Sequence, residues 1–281
     1  MPFLWKFRKK YPPSHPMIGL SKAPNGLTRM PKLLPIFLVA GMGTRLNHPK
    51  PKCLIEVENR SLIYRSILAL KQLHIEEVVM IVGHEKKLII NEIGNEISNI
   101  KVHYIENKEF HKTGTAFSLY CAKDLALKKK LDILMLHGDI LYDPKIFSLN
   151  IDTEKSSIFV DSNFETKTND EMVVFLKNGL IKSIIKGPKS VFLKKHQNDV
   201  AGESLGINYF IAKDLEDIFE NLKKSINNNR KIHWEQTIEA LVVEKKIKLN
   251  ILDVAPLNWI NVNYDEDLYQ GREFSFIQQD Y

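Results

Sequence analysis

Ile36-Phe37-Leu38-Val39-Ala40-Gly41-Met42-Gly43-Thr44-Arg45-Leu46, followed by Pro51-Lys52-Cys53-Leu54, decides the fold of this 281-residue chain. Ile36 to Ala40 is an apolar run with the length and composition of a buried strand. Glycines at 41 and 43 let the backbone behind it turn tightly and come close to a ligand. Peptide N–H groups left free in such a turn form a nest for an anion. Arg45 adds a planar fork of donors suited to phosphate oxygens, and Lys52 a compact point charge. Together these features point to a triphosphate held at a strand end. The common glycine fingerprints do not fit. G-x-G-x-x-G would need glycine where Leu46 stands, and the Gly-Lys-Ser/Thr of the P-loop is absent. A bare G-x-G is equally compatible with an ordinary strand-to-helix turn carrying surface basic residues.

The longer string is more specific. Ala-Gly-x-Gly-Thr-Arg-Leu, a short gap and then Pro-Lys-x-Leu resembles the signature of the sugar-phosphate nucleotidyltransferases. The short gap is similar to that of the compact cytidylyltransferase-like members of the phosphocholine, phosphonate and sugar-phosphate types. The resemblance implies an enzyme that joins a nucleoside triphosphate, CTP in the first instance, to a phosphorylated or phosphonate small molecule and releases pyrophosphate. It also implies a three-layer, Rossmann-like α/β fold with a mixed, mostly parallel sheet, and Mg²⁺ as cofactor. By the same resemblance Arg45 and Lys52 are the catalytic contacts to the triphosphate. Ala40, Gly41, Gly43 and Thr44 line the nucleotide.

Composition agrees with a globular protein. The apolar fraction is 44% and the charged fraction 26%. No apolar stretch approaches the roughly 18 residues of a membrane span. The two cysteines, Cys53 and Cys121, have no spacing that suggests a disulfide framework or zinc site, so a reducing cytoplasm is expected. The net charge of +6 is local. Residues 1–35 hold Lys6, Arg8, Lys9, Lys10, Lys22, Arg29 and Lys32 and no acid, so the rest of the chain is close to neutral. A nucleic-acid role would need a basic face on the folded body. This charge distribution does not provide one.

Residues 1–35 read as a basic, proline-rich extension with Pro12, Pro13, Pro16, Pro24, Pro31 and Pro35. They fit a disordered tail, or an upstream start ahead of Met30. The interleaved Phe3, Leu4, Trp5 and Phe7 would also suit an anionic membrane surface. No apolar core follows the basic residues, so a secretory signal is not expected. From residue 36 onward, strands and helices alternate. Strands are expected at 36–40, 78–82, 102–105 and 133–136, and helices at 61–74 and 116–127. Later come a hairpin across Asn178-Gly179, a strand at 203–211, helices at 214–226 and 233–243, and a strand at 247–254. This is one domain over 36–281, with a nucleotide half at 36–140 and an acceptor half at 141–281. Ligands of such sheets bind beyond the carboxyl ends of the strands.

Further candidates sit at those ends. Asp139, in His137-Gly138-Asp139, is placed to hold Mg²⁺ through oxygen or to cap a helix starting near Pro144. The family resemblance favours the metal. The late stretch Trp259-Ile260-Asn261-Val262-Asn263 resembles a family motif and implies Asn263 as the second metal position, where many members carry Asp. Asp265 and Asp267 are alternatives there, or charges at the start of the last helix. Gly114 and Thr115 open a helix and, by the resemblance, lie against the base. On the acceptor side, Lys186 in Ile-Ile-Lys-Gly-Pro and Glu203 in Gly-Glu-Ser-Leu-Gly-Ile resemble substrate contacts of the family, though both also read as solvated surface charges. Glu235 is a weaker candidate of the same kind. The histidines have no metal-ligand spacing and receive no role.

The chemistry this implies is in-line attack by the acceptor's phosphate or phosphonate oxygen on the α-phosphorus. That oxygen is already nucleophilic, so no general base is needed. The protein's task is to bring two anions together and stabilise moving charge. Expected partners are an NTP and a small-molecule acceptor, with no nucleic acid and the oligomeric state open. Two rivals remain. One is a glycosyltransferase on a related fold, which usually carries an Asp-x-Asp. The other is a catalytically silent nucleotide-binding module.

Overall fold

The computed structural model describes residues 32–274 except 44, 47, 164–170, 188–199 and 245. The basic extension, other than its last few residues, and Thr44 therefore lie outside the described residues. In chain order the first elements are β1 (Leu33–Val39), the two-strand turn β2 (Glu56–Val57) and β3 (Arg60–Ser61), α1 (Leu62–Ala69), β4 (Glu77–Val82), α2 (Lys86–Ile93), β5 (Glu96–Ile97) and β6 (Ile100–Glu106). Then come α3 (Thr115–Tyr120), α4 (Lys123–Lys129), β7 (Asp132–His137), β8 (Ile140–Tyr142) and β9 (Ser156–Asp161). The remainder is β10 (Met172–Lys177), β11 (Leu180–Lys186), β12 (Val200–Phe210), α5 (Leu215–Asn228), α6 (Trp234–Val243), β13 (Leu249–Asp253), β14 (Trp259–Asn261) and α7 (Asp265–Arg272).

The main sheet runs β11-β10-β12-β7-β1-β4-β6-β5, and β9 joins β12 to β13. Its centre, β7-β1-β4-β6, is parallel. β12 and the β10–β11 hairpin add antiparallel strands beside β7. Central strands are apolar on both faces because successive side chains point to opposite sides of the sheet. Phe37, Val39, Met80, Val82, Leu134 and Leu136 pack on one side with Ile63 and Ile67 of α1. Leu34, Ile36, Val79, Ile81, Ile133 and Met135 pack on the other with α3, α5 and α6. The result is three layers.

The strand order places the site. The chain steps from β1 to β4 to β6 in one direction, then returns to β7 on the other flank of β1. A reversal of this kind opens a crevice at the carboxyl ends of the two strands. The loop after β1 and the Gly138-Asp139 turn after β7 both lie there.

Several expectations shift. β1 begins at Leu33 rather than Ile36 and so contains Pro35, which pairs only with Leu134 of β7 because the β4 ladder starts at Ile36. A proline is tolerated where a flank is unpaired. The helix expected over 116–127 is broken at Cys121-Ala122 into α3 and α4. The first helix is shorter than 61–74: α1 gives way to a 3₁₀ turn that His74 ends with φ 52°. The hairpin forms as expected, with Asn178 and Gly179 both at positive φ (55° and 74°).

Candidate active site

Lys52 opens a short 3₁₀ turn that is anchored by the buried Cys53 and Leu54. Its side chain is only 11% exposed. Nζ donates to Asp139 Oδ2 at 2.8 Å and to Asn263 Oδ1 at 2.7 Å. Strand pairing brings these distant residues together. β8 runs antiparallel to β14, with Ile140 opposite Asn261, and Val262 N donates to Asp139 O at 3.0 Å. Asp267 Oδ2 accepts from the N–H groups of Asn263 and Tyr264, at 2.7 and 2.8 Å. Asp267 therefore caps α7 and fixes Asn263, and of the two roles open to it the structure gives it the cap. Asp139 does not cap the turn at Pro144, because Asp143 does so by accepting from Lys145 N.

Burial alone would raise the Asp139 carboxyl. The Lys52 ammonium and hydrogen bonds outweigh it and hold the group below its ordinary value. The Asp139 and Asn263 oxygens converge on a single cation, here the ammonium. The same pair suits a hard divalent ion, which needs few protein oxygens when phosphates and water complete its shell. Among the described residues no group of three or more His, Cys, Asp or Glu is placed to hold a metal. Cys53 is no nucleophile, since burial pushes its thiol up to about 12.

A cleft of about 460 Å³ opens at this point. Arg45, Thr115, His137 and Asp139 line it from the first half of the chain, and Lys186, Glu203, Glu235 and Asn263 are among those from the second. Eight residues proposed from sequence, Asp267 among them, thus share one cavity, and Lys52 bonds to two of them. The glycine loop is less direct. Ala40 is buried, and its carbonyl accepts from His84 N at 3.2 Å. Gly43 lies against the Lys52 stem, and Gly41 is exposed. Gly114 serves packing: its N–H donates to Arg230 O at 2.8 Å, and a Cβ there would stand 2.2 Å from Ile232 O. Thr115 Oγ1 accepts from Trp234 N at 3.1 Å and so steadies the start of α6.

Sequence reasoning gave no role to His137, yet it lines the cleft. Trp234 Nε1 donates to His137 Nε2 at 3.0 Å, so the indole fixes Nε2 as the unprotonated nitrogen. Asp161, Glu171, Trp259 and Asn261 also line the cavity and were not singled out. Trp259 Nε1 donates to Asp161 Oδ2 at 2.9 Å. The available signals were adjacency, His137 to Gly138-Asp139 and Trp259 to the Asn263 motif. Asp161 ends a strand that hides behind two serines.

The fold and the site together define an α/β protein whose cleft, with the Lys52–Asp139–Asn263 cluster, opens at the β1–β7 crevice. The family profile described as Nucleotidyl transferase matches residues 34–172, and the chain is a nucleotidyltransferase. It is 25% identical over 255 residues to the CTP:phosphoglutamine cytidylyltransferase of Campylobacter jejuni subsp. jejuni serotype O:2, covering 83% of this chain and 96% of that protein. It is 29% identical over 114 residues to the CMP-5'-(3-aminopropyl)phosphonate synthase of Streptomyces rubellomurinus, covering 40% of this chain but only 18% of that longer protein. Among solved structures, the CTP:phosphocholine cytidylyltransferase from Streptococcus pneumoniae superposes with a TM-score of 0.66 at 20% identity, covering 86% of this chain and 98% of that one. That likeness concerns the fold.

Proposed function

We propose that the protein transfers the cytidylyl group of CTP to the phosphate or phosphonate oxygen of a small acceptor, releasing pyrophosphate. The observation that carries this is the Lys52 ammonium clasped between Asp139 and Asn263 at the β1–β7 crevice. The names of two relatives support CTP as donor and a phosphorylated or phosphonate acceptor. The acceptor oxygen forms a bond to the α-phosphorus as the bond to the bridging α–β oxygen breaks, and pyrophosphate leaves with that electron pair. Lys52 turns from its carboxylate to the α-phosphate, and Arg45 holds the departing pyrophosphate. Preorganised cations of this kind act where charge develops. Asp139 and Asn263 would hold Mg²⁺, which when bound neutralises phosphate charge.

A glycosyltransferase is disfavoured because Ile140 and Leu141, which follow Asp139, are buried in β8, so no second carboxylate completes an Asp-x-Asp. A silent module is disfavoured by the presence of Arg45, Lys52 and Asp139 in one site. We also propose that 36–281 is a single catalytic domain that works in the cytoplasm, making activated precursors for surface glycans or phosphonates. No described helix is long and apolar enough to cross a membrane, and the two free thiols suit a reducing compartment. The test is pyrophosphate release from each of the common triphosphates against a panel of phosphate and phosphonate acceptors, with and without Mg²⁺. Mg²⁺-dependent release with CTP supports the proposal, and release with no acceptor present, or with none of the panel, contradicts it.

A further inference from the structure

The Lys52 ammonium holds the place that the proposed chemistry gives to a divalent ion. Nζ lies 2.8 Å from Asp139 Oδ2 and 2.7 Å from Asn263 Oδ1, and these are the two oxygens suited to Mg²⁺. Two of the three donors of the ammonium are committed to them. Asp139 is the one anion of the cluster and Lys52 its one cation, so the salt bridge leaves the three groups without net charge. A divalent ion approaching the pair would meet a cation already seated on both oxygens. Like charges at such separations repel strongly.

The oxygens belong to the fixed part of the cluster. Val262 N donates to Asp139 O at 3.0 Å, and Asn263 N donates to Asp267 Oδ2 at 2.7 Å, so both backbones are tied. The ammonium is the movable member, because it ends a flexible four-carbon stem. That stem runs beside Gly43. A Cβ built on this glycine, which has φ 60°, would lie 3.5 to 3.7 Å from Lys52 Cβ, Cγ and Cδ. A glycine there leaves room alongside the stem for the head group to swing. Asp139 and Asn263 both line the cleft, so the pair is open to the side from which a nucleotide would come.

We propose that Lys52 gates the cation site: ammonium and divalent ion occupy the Asp139–Asn263 pair in turn, and Lys52 yields both oxygens as it moves to the phosphate of the incoming nucleotide. Metal and nucleotide then bind cooperatively, since the phosphate that takes up Lys52 frees the pair, and by linkage each favours the other equally. Lys52 has two opposed effects. It weakens metal binding to the free protein, and it raises turnover. The inference rests on the reading of Asp139 and Asn263 as the metal pair for nucleotidyl transfer.

The test uses the full chain and Mn²⁺ alone as probe, without nucleotide, with free Mn²⁺ read by electron paramagnetic resonance. Lys52→Met should bind Mn²⁺ at least about tenfold more tightly than the wild type, which must first break hydrogen bonds to a charged group. Its pyrophosphate release should fall all the same. A lysine that only touches phosphate would leave the Mn²⁺ affinity where it is. A thermal midpoint shows whether the variant is folded, and a second readout on the wild type decides the matter if it is not. That readout is acetylation of Lys52 by limiting acetic anhydride at fixed pH, scored by peptide mass spectrometry against the exposed Lys182. Saturating Mg²⁺ should raise Lys52 labelling several-fold relative to Lys182. Equal or weaker Mn²⁺ binding in folded Lys52→Met, or Lys52 labelling that ignores Mg²⁺, overturns the gate. Failure of the underlying reading looks different. Unchanged Mn²⁺ binding in Asp139→Asn places the metal elsewhere, and absence of pyrophosphate release from CTP with any acceptor overturns nucleotidyl transfer itself.

Discussion

Lys52 bonds to oxygens 87 and 211 residues further along the chain, so one side chain ties the first motif to the last. Lys52→Ala should leave the fold intact and lower turnover by about 10²–10³, the usual loss for one preorganised electrostatic partner. Steady-state pyrophosphate release checks this, and a variant keeping more than a small fraction of activity removes Lys52 from the mechanism. Asp139→Asn deletes the charged oxygen of the pair and should abolish Mg²⁺-dependent turnover. Asn263→Asp adds a charge to the same position and should reach saturation at lower Mg²⁺. Metal titrations of the two variants read both outcomes. These residues were legible in sequence because they belong to short strings that resemble a family. His137 was not, since its position depends on an indole 97 residues away. Gly114 shows the reverse case: its motif was visible, but the backbone of residues 230–232 that it packs against was not.

At the scale of elements, β12 joins the two flavours of the sheet. Residues 207–210 pair with β7 and residues 200–203 with β10, while β9 pairs with both stretches and its register shifts between Ser204 and Asn208. The bend contains Gly206 at φ 69°, where a Cβ would lie 2.9 Å from His137 Nδ1. Gly206→Ala therefore combines a left-handed backbone, worth about 1–2 kcal/mol, with displacement of a ring in the cleft. The thermal midpoint should fall by roughly 2–8 °C, and kcat/KM should fall with it. An unchanged midpoint and activity would show that the bend is not strained by a side chain. Strong periodic runs such as β4, and the Asn178-Gly179 turn, were readable because the local pattern alone specifies them. β9 was not, because Ser156 and Ser157 look polar. In the fold Ser156 Oγ donates to Asp214 and accepts from Ile211 N, which makes a serine acceptable in the core. α2 was missed because only Ile89 and Ile93 of its eight residues are buried, too few to set a period.

At the scale of the whole molecule, the β1–β7 reversal gathers the site. β12 of the later half lies against β7 of the earlier one, so the residues proposed for nucleotide and for acceptor are gathered around a single sheet. The alternation of strands and helices forecast the layers, but nothing local in the sequence specifies that β12 inserts beside β7. Removal of residues 1–30 should leave turnover unchanged, because every residue assigned to the site follows them. Loss of activity in the soluble truncated protein would move the domain boundary. The central claim concerns the fate of the α-phosphorus. The most direct measurement follows CTP labelled at that atom in the presence of acceptor and Mg²⁺, with pyrophosphate assayed in parallel. The expected result is label recovered in an acceptor–CMP conjugate, with one pyrophosphate released for each labelled product. Label recovered as free CMP, or stepwise loss of orthophosphate from CTP, would contradict it.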